Sequence, residues 1–346
     1  MLQRPTFNRR QTMNVVGIVL ILSGIACQAS FTVLRRYVIR EKINSERDIL
    51  VWGLGLAGVI LASGIWWWPQ FGTEKTDWPV FWIAVAGTTL ANIVIQFSST
   101  RAASLGDASL TAPIQGMTPL LITAAALSVN EYPSQIGMAG IVLIGLGTWI
   151  HNREKATTLT EYLVPLRMLW LPANYDRLRG EERVTVQNDM RAVRWAFLSA
   201  CIGTIGLLFD GILSRSGSVA EGTAIEWLAV SLAFSMLIRP KPGAQKVVSG
   251  SKRTWGIALY GLLWAGHAIL IVNAFRFAPV AYIGSLKRLA IILIVAMSWA
   301  LLGERKALRR LIPAGIIGIG AMLLVFDPAS HAIVDKAHVF LQSWVE

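Results

Sequence analysis

The sequence predicts an all-α integral membrane protein, with ten transmembrane helices arranged as two inverted five-helix repeats. Three observations carry this expectation. Apolar residues fill 54% of the 346 positions and charged residues only 15%, against about 45–50% and 25% in ordinary soluble domains. The apolar residues gather into ten runs long enough to cross a bilayer, and a shift of 173 residues lays part of the second half on the first.

Lipid offers the backbone no hydrogen-bond partner, so a crossing segment is a helix of about 20 mostly apolar residues. The runs lie at 14–35, 49–68, 79–98, 106–129, 134–150, 193–213, 222–239, 254–274, 279–302 and 308–326. Arg4, Arg9 and Arg10 precede the first as in a signal peptide, but its apolar stretch is too long and no small-residue cleavage site follows, so it stays. Trp66, Trp67 and Trp68 end the second run, and Trp78 and Trp82 open the third, as expected of aromatic rings at the water boundary. The polar stretch 151–192, with Arg153, Lys155, Arg167, Arg177, Arg179, Arg183 and Arg191, is a basic linker between repeats 14–150 and 193–326, with tails 1–13 and 327–346. Within it, Tyr162, Leu163, Leu166, Met168, Leu169 and Trp170 suit either a short helix on the membrane surface or a solvated loop.

The shift of 173 brings 102–147 onto 275–320 without a gap, matching Ala108 to Ala281, Glu131 to Glu304, Ile144 to Ile317, Gly145 to Gly318 and Gly147 to Gly320. Five spans per half is an odd number, so the halves must enter the membrane in opposite directions. Inverted repeats around a site near mid-membrane are the architecture of many secondary transporters.

The formal charge of +12 would suggest nucleic acid in a soluble protein. Here the basic residues collect in the odd-numbered connections, which by itself places both termini outside the cytoplasm. Cys27 and Cys201 sit inside apolar runs without metal-ligand spacing, and His151, His267, His331 and His338 are dispersed. No nucleophile with its base and no metal cluster emerges, so neither an enzyme, a cofactor, a metal nor a nucleic-acid partner is expected.

A charge at the centre of a span costs about 2.5–3.5 kcal/mol on insertion scales and therefore tends to face a cavity or a partner. Lys287 lies eight residues past Pro279, at about 1.5 Å per residue roughly 12 Å below the surface. Its neighbour Arg288 has Gln115 as repeat counterpart, and Tyr282 and Ser285 precede Arg288 at helical spacing. A guanidinium fork beside an ammonium suits a phosphate or carboxylate, and an ion pair to Asp210 or a glutamate is the competing reading. Asp210, in "GLLFDGIL", reads as the one acid well inside apolar sequence, either a proton carrier or that ion-pair partner. His267 is a titrating or simply a packed residue, and Asn92 and Gln96 share one helix face. Glu131 and Glu304 mark equivalent ends of repeat helices and suit a structural role there. Gly137, Gly140, Gly145, Gly147, Gly315, Gly318 and Gly320 are expected to let helices approach closely.

The segments "TAPIQGMTPLLITAAALSVNE" and "APVAYIGSLKRLAIILIVAMSWALLGE", followed by "GIVLIGLG" and "GIIGIGAMLL", resemble the paired EamA-type repeats of the drug/metabolite transporter superfamily. That resemblance implies a multi-pass carrier in the cytoplasmic (inner) membrane that moves a small metabolite, as monomer or dimer. It also implies cytoplasmic termini, opposite to the charge bias, and a shorter linker than this one. The Lys287-Arg288 pair is similar to that of the plastid sugar-phosphate translocators, where such a pair grips the substrate phosphate. The expected substrate is then a small anionic organic molecule. Export of amino acids or cationic drugs, with Asp210 as the attractive charge, is the alternative, and a membrane scaffold that transports nothing is a third.

Overall fold

The computed structural model describes residues 15–41, 43–67, 76–105, 111, 114, 116–129, 131–152, 158–170, 179–238, 251–302 and 311–328. Among them there are helices and no strand. The helices are α1 (Val15–Arg40), α2 (Leu54–Trp67), α3 (Trp78–Leu105), α4 (Thr118–Ala126), α5 (Gln135–Asn152), α6 (Gly180–Ser216), α7 (Val219–Leu237), α8 (Ser251–Ala274), α9 (Val280–Leu286), α10 (Ala290–Leu302) and α11 (Leu311–Val325).

Six described helices are long and apolar enough to cross a membrane: α1, the run Glu46–Gly64 into α2, α3, α6, α7 and α8. The helices α5 and α11 are apolar but shorter. Two expected spans remain, the fourth and the ninth. Of the fourth, α4 is the described core, continued by a 3-10 turn Leu127–Val129. The ninth is cut by a 3-10 turn at Lys287–Leu289 into α9 and α10. A tight turn in mid-helix changes the angular step per residue and is a common mark of a hinge. The outer faces of the long helices remain apolar, with Leu90 64% and Met236 70% exposed, which suits hydrocarbon rather than water.

Sequence signals explain where elements begin. Ser45 caps the turn into α2 by accepting from the Asp48 N–H (3.1 Å), and the Asp48 carboxylate accepts in return from the Ser45 N–H (3.0 Å). Ser218 caps α7 by accepting from the Glu221 N–H (3.4 Å). Both members of these pairs stand 173 residues apart, as do the first residues of α3 and α8. Proline sets two starts, Pro119 in the first turn of α4 and Pro279 just ahead of α9.

Packing follows reciprocal pairs. The long helix α3 lies along α6 and α1 along α8, while α2 pairs with α7, α4 with α9 and α5 with α11. At the α5–α11 contact, a Cβ on Gly147 would stand 3.0 Å from the backbone N of Ile317 and 3.0 Å from the carbonyl O of Pro313. A Cβ on Gly320 would stand 3.0 Å from the N of Ile144 and 2.7 Å from the O of Gly140. Not every expected glycine serves this purpose: nothing lies within 4 Å of Gly315 or Gly318, and Gly145 meets only Leu120, at 3.6 Å. One buried apolar cluster joins α1, α2, α3, α6, α7 and α8, and a second joins α1, α4, α5 and α8 through α11.

The linker departs from expectation. Helix α6 begins at Gly180, well ahead of the apolar run at 193, because that run simply continues a polar helical extension. Two short helical turns, Leu159–Tyr162 and Val164–Arg167, lie before it. Leu166, Met168 and Leu169 pack inward on Ala102, Ile114, Val193 and Ala196, leaving Trp170 74% exposed. The segment is thus docked on the bundle, neither a free loop nor a helix with its apolar face turned wholly to lipid.

Candidate functional site

Helices α1, α3, α4, α6, α7, α8 and α9 surround a cavity of about 420 Å³. The break in the ninth span presents Lys287 and Arg288 to it, from the 3-10 turn itself. Asn92, Gln96, Asp210 and His267 line it as well, so six of the expected residues meet in one place.

Across from the basic pair runs a chain of polar groups. The Thr88 hydroxyl donates to Asp210 Oδ1 (2.5 Å), and Asn92 Nδ2 donates to Glu226 Oε1 (2.7 Å) and to the Thr88 carbonyl (3.2 Å). Lys287 is within electrostatic reach of Asp210, Glu226 and Arg288. None of the ion pairs closer than 4 Å among the described residues includes Lys287. The wall therefore holds acids and bases near one another without locking the lysine to a single partner.

A second wall is aromatic. The Trp264 ring lies 4.5 Å from Phe31 and 4.9 Å, edge-on, from Trp227. His267 packs edge-on to Phe31, and its Nδ1 is 2.9 Å from the Gly24 carbonyl. Trp264 and Gln28 line the cavity, while Trp264 Nε1 and Gln28 Oε1 themselves are buried and lack a hydrogen-bond partner among the described residues. At the rim, Arg35 pairs with Glu46 at 2.5 Å with its side chain 30% exposed, so the cavity reaches water on that side.

The far end is shut. Fully buried Glu131 accepts from Arg215 (2.7 Å) through Oε1 and from the Val280 N–H (2.6 Å) through Oε2, tying together the ends of α4 and α6 and the start of α9. Arg215 also donates to the Phe275 carbonyl at 3.3 Å. Arg276 donates through Nε to the Ser214 carbonyl and through a terminal nitrogen to that of Gly217 (2.6 Å), and burial pulls its guanidinium down to about 10. The Tyr282 hydroxyl donates to Asp327 Oδ2, which also accepts from Ser134 Oγ (2.7 Å).

Two expected lining residues are elsewhere. Tyr282 and Ser285 are completely buried and absent from the cavity wall. The 3-10 turn after Leu286 changes the angular step, so their stripe points into packing while the next two residues face the cavity. Tyr282 instead fills the notch at Gly137, where any Cβ would collide with the phenol. Gln115 and Glu304 lie outside the described residues. Sequence reasoning missed Glu226, Gln28, Arg35 and the aromatic wall. Asp210 is thus not the one acid inside the apolar runs: Glu226, in "TAIEWLAV" four residues past the start of its run, is 2% exposed.

Residues 15–153 match the model of the EamA-like transporter family. No curated protein matches the chain in sequence. A solved crystal structure, described only as that of a protein, superposes with a TM-score of 0.61 over 89% of this chain and 94% of its own, at 15% identity. At that identity the likeness is one of fold. With six described helices long and apolar enough to cross a membrane, the chain is accordingly a multi-pass membrane protein whose residues 15–153 are similar to the EamA-like transporter family.

Proposed function

We propose that the protein is a secondary active transporter of a small anionic organic metabolite, working by alternating access between two inverted five-helix repeats, 14–150 and 193–326. The observation that carries the reading is the cavity between those segments, with Lys287 and Arg288 offered to it from a helix break. Broken helices at a central site are a recurring device of secondary transporters.

The reciprocal contacts support the repeat. Gly147 meets the chain at 313 and 317, and Gly320 meets it at 140 and 144, the same contact read from each side of a 173-residue shift. A pseudo-twofold axis produces such mutual pairing. The helix pairs obey it too: α1 with α8 mirrors α6 with α3, and α1 with α10 mirrors α6 with α4.

In the empty carrier, Asp210 and Glu226 offset the charge of Lys287. A bound carboxylate or phosphate takes over that role through charge-assisted hydrogen bonds, letting the basic pair stay dehydrated while the halves rock. The Glu131–Arg215 contact then opens on one side as the other closes.

Thermal unfolding of the purified protein with phosphorylated, carboxylic and cationic metabolites tests this, alongside uptake into vesicles. An anion at 100-fold its Kd should add about 2.7 kcal/mol of stability. Arg288→Gln should cut anion affinity by roughly tenfold or more, and Lys287→Arg should retain much of it. Normal transport by a folded Arg288→Gln protein sinks the anion clamp. Export of amino acids or organic cations is the second reading, favoured by Glu226 and Asp210 on the opposite wall. It predicts stabilisation by cations, lost in Glu226→Gln.

A further inference from the structure

A second cavity of about 470 Å³ lies away from the central one, between the end of α1 and the start of α8. Its apolar walls include Leu34, Val38, Trp255 and Leu259, and its charged lining is Glu41 and Lys252. The apolar span within α1 ends at Ile39, and α8 opens with Ser251, Lys252 and Arg253 before turning apolar. The groove therefore sits at the level where a bilayer changes from acyl chain to head group. Tyr37, 45% exposed, and Trp255, 65% exposed, stand at its edge like the aromatic residues that mark such a boundary.

The two elements that form the groove are fastened together beside it. Asn44 Nδ2 donates to the Arg253 carbonyl (3.1 Å), and Arg253 pairs with Asp48 at 2.8 Å, fastening the connection after α1 to the first turn of α8. Arg253 is committed to that pair. Glu41 and Lys252 are exposed and take no part in the close ion pairs of the described residues. An anion-accepting and a cation-accepting group thus share one groove whose remaining surface is apolar.

We propose that this groove binds phosphatidylethanolamine, with Lys252 holding the phosphate, Glu41 holding the primary ammonium and the acyl chains lying along Leu34, Val38 and Leu259. Charge complementarity selects this lipid. Phosphatidylcholine has the same charges, but its quaternary nitrogen carries no N–H to donate to Glu41. Phosphatidylglycerol has the phosphate without any cation, which leaves Glu41 facing an anionic lipid.

The test uses the full-length protein in detergent micelles supplemented with each lipid in turn, with retained copies counted by native mass spectrometry and protection read by thermal unfolding. Phosphatidylethanolamine should be retained roughly two- to fivefold over phosphatidylglycerol, the ratio that one surface ion pair supports. Glu41→Gln should erase that preference while leaving the lipid-free Tm unchanged. Lys252→Gln should weaken binding of all three lipids, and Lys252→Arg should restore it. Equal retention of the three lipids, or an undiminished preference in Glu41→Gln, overturns the proposal. Protection by soluble O-phosphoethanolamine equal to that by the lipid overturns it too, since the apolar walls would then contribute nothing.

Discussion

Replacing Glu131 by alanine should destabilise the protein by about 3–5 kcal/mol, the cost of leaving a buried charge without its partner. Glu131 is fully buried and Arg215 nearly so, and the carboxylate holds both the guanidinium and the Val280 N–H. Alanine strands all of those donors at once. In a melt of the detergent-purified protein, the apparent Tm should fall by on the order of 10 °C. Glu131→Gln keeps an acceptor for Val280 and should lie between. The double variant Glu131→Met/Arg215→Met removes both charges together and should recover much of the loss, because desolvating an ion pair consumes most of what its attraction returns. A Glu131→Ala protein melting within about 1 °C of the parent, or a double variant no better than the single, refutes this account.

Gly320→Val should cost about 3 kcal/mol, the upper end of the usual penalty for overpacking, while Gly318→Ala two positions away should be neutral or slightly stabilising. The contrast follows from what each new atom meets. At Gly320 the Cβ alone would come within 2.7 Å of the Gly140 carbonyl and 3.0 Å of the Ile144 nitrogen, both backbone atoms that move only if α5 moves. At Gly318 there is nothing within 4 Å. Gly147→Val should behave like Gly320→Val, since its Cβ would stand 3.0 Å from the Ile317 nitrogen and the Pro313 carbonyl oxygen. Melting curves of the three variants decide the matter, and a Gly318→Ala protein as unstable as Gly320→Val would disprove it.

Much of the fold was legible because a membrane helix writes itself in composition: an apolar run of the right length has few other uses. The long helices α1, α3, α7 and α8 lie where their runs lie. The interruption at Lys287–Leu289 was hidden, since no proline or glycine stands in that turn and the apolar run continues past it. For the site, residues conspicuous by charge or amide in mid-run, such as Lys287, Asp210 and Asn92, came together in the cavity. Those whose chemistry is ordinary in a membrane, Phe31, Trp227 and Trp264, gave no sign, because aromatic residues are common in spans and only their convergence distinguishes them. Arg215 was obscured by position: it stands two residues past the end of an apolar run, and α6 carries it onward into a buried pair.

Among the described residues, Trp264 Nε1 and Gln28 Oε1 are sealed from water and unmatched by any hydrogen-bond partner, although both residues line the central cavity. Each polar group left unmet in this way costs about 1–3 kcal/mol. A rearrangement that turns either atom toward the chamber, where water or a polar guest can answer it, recovers that cost, so the wall of this conformation carries its own bias toward change.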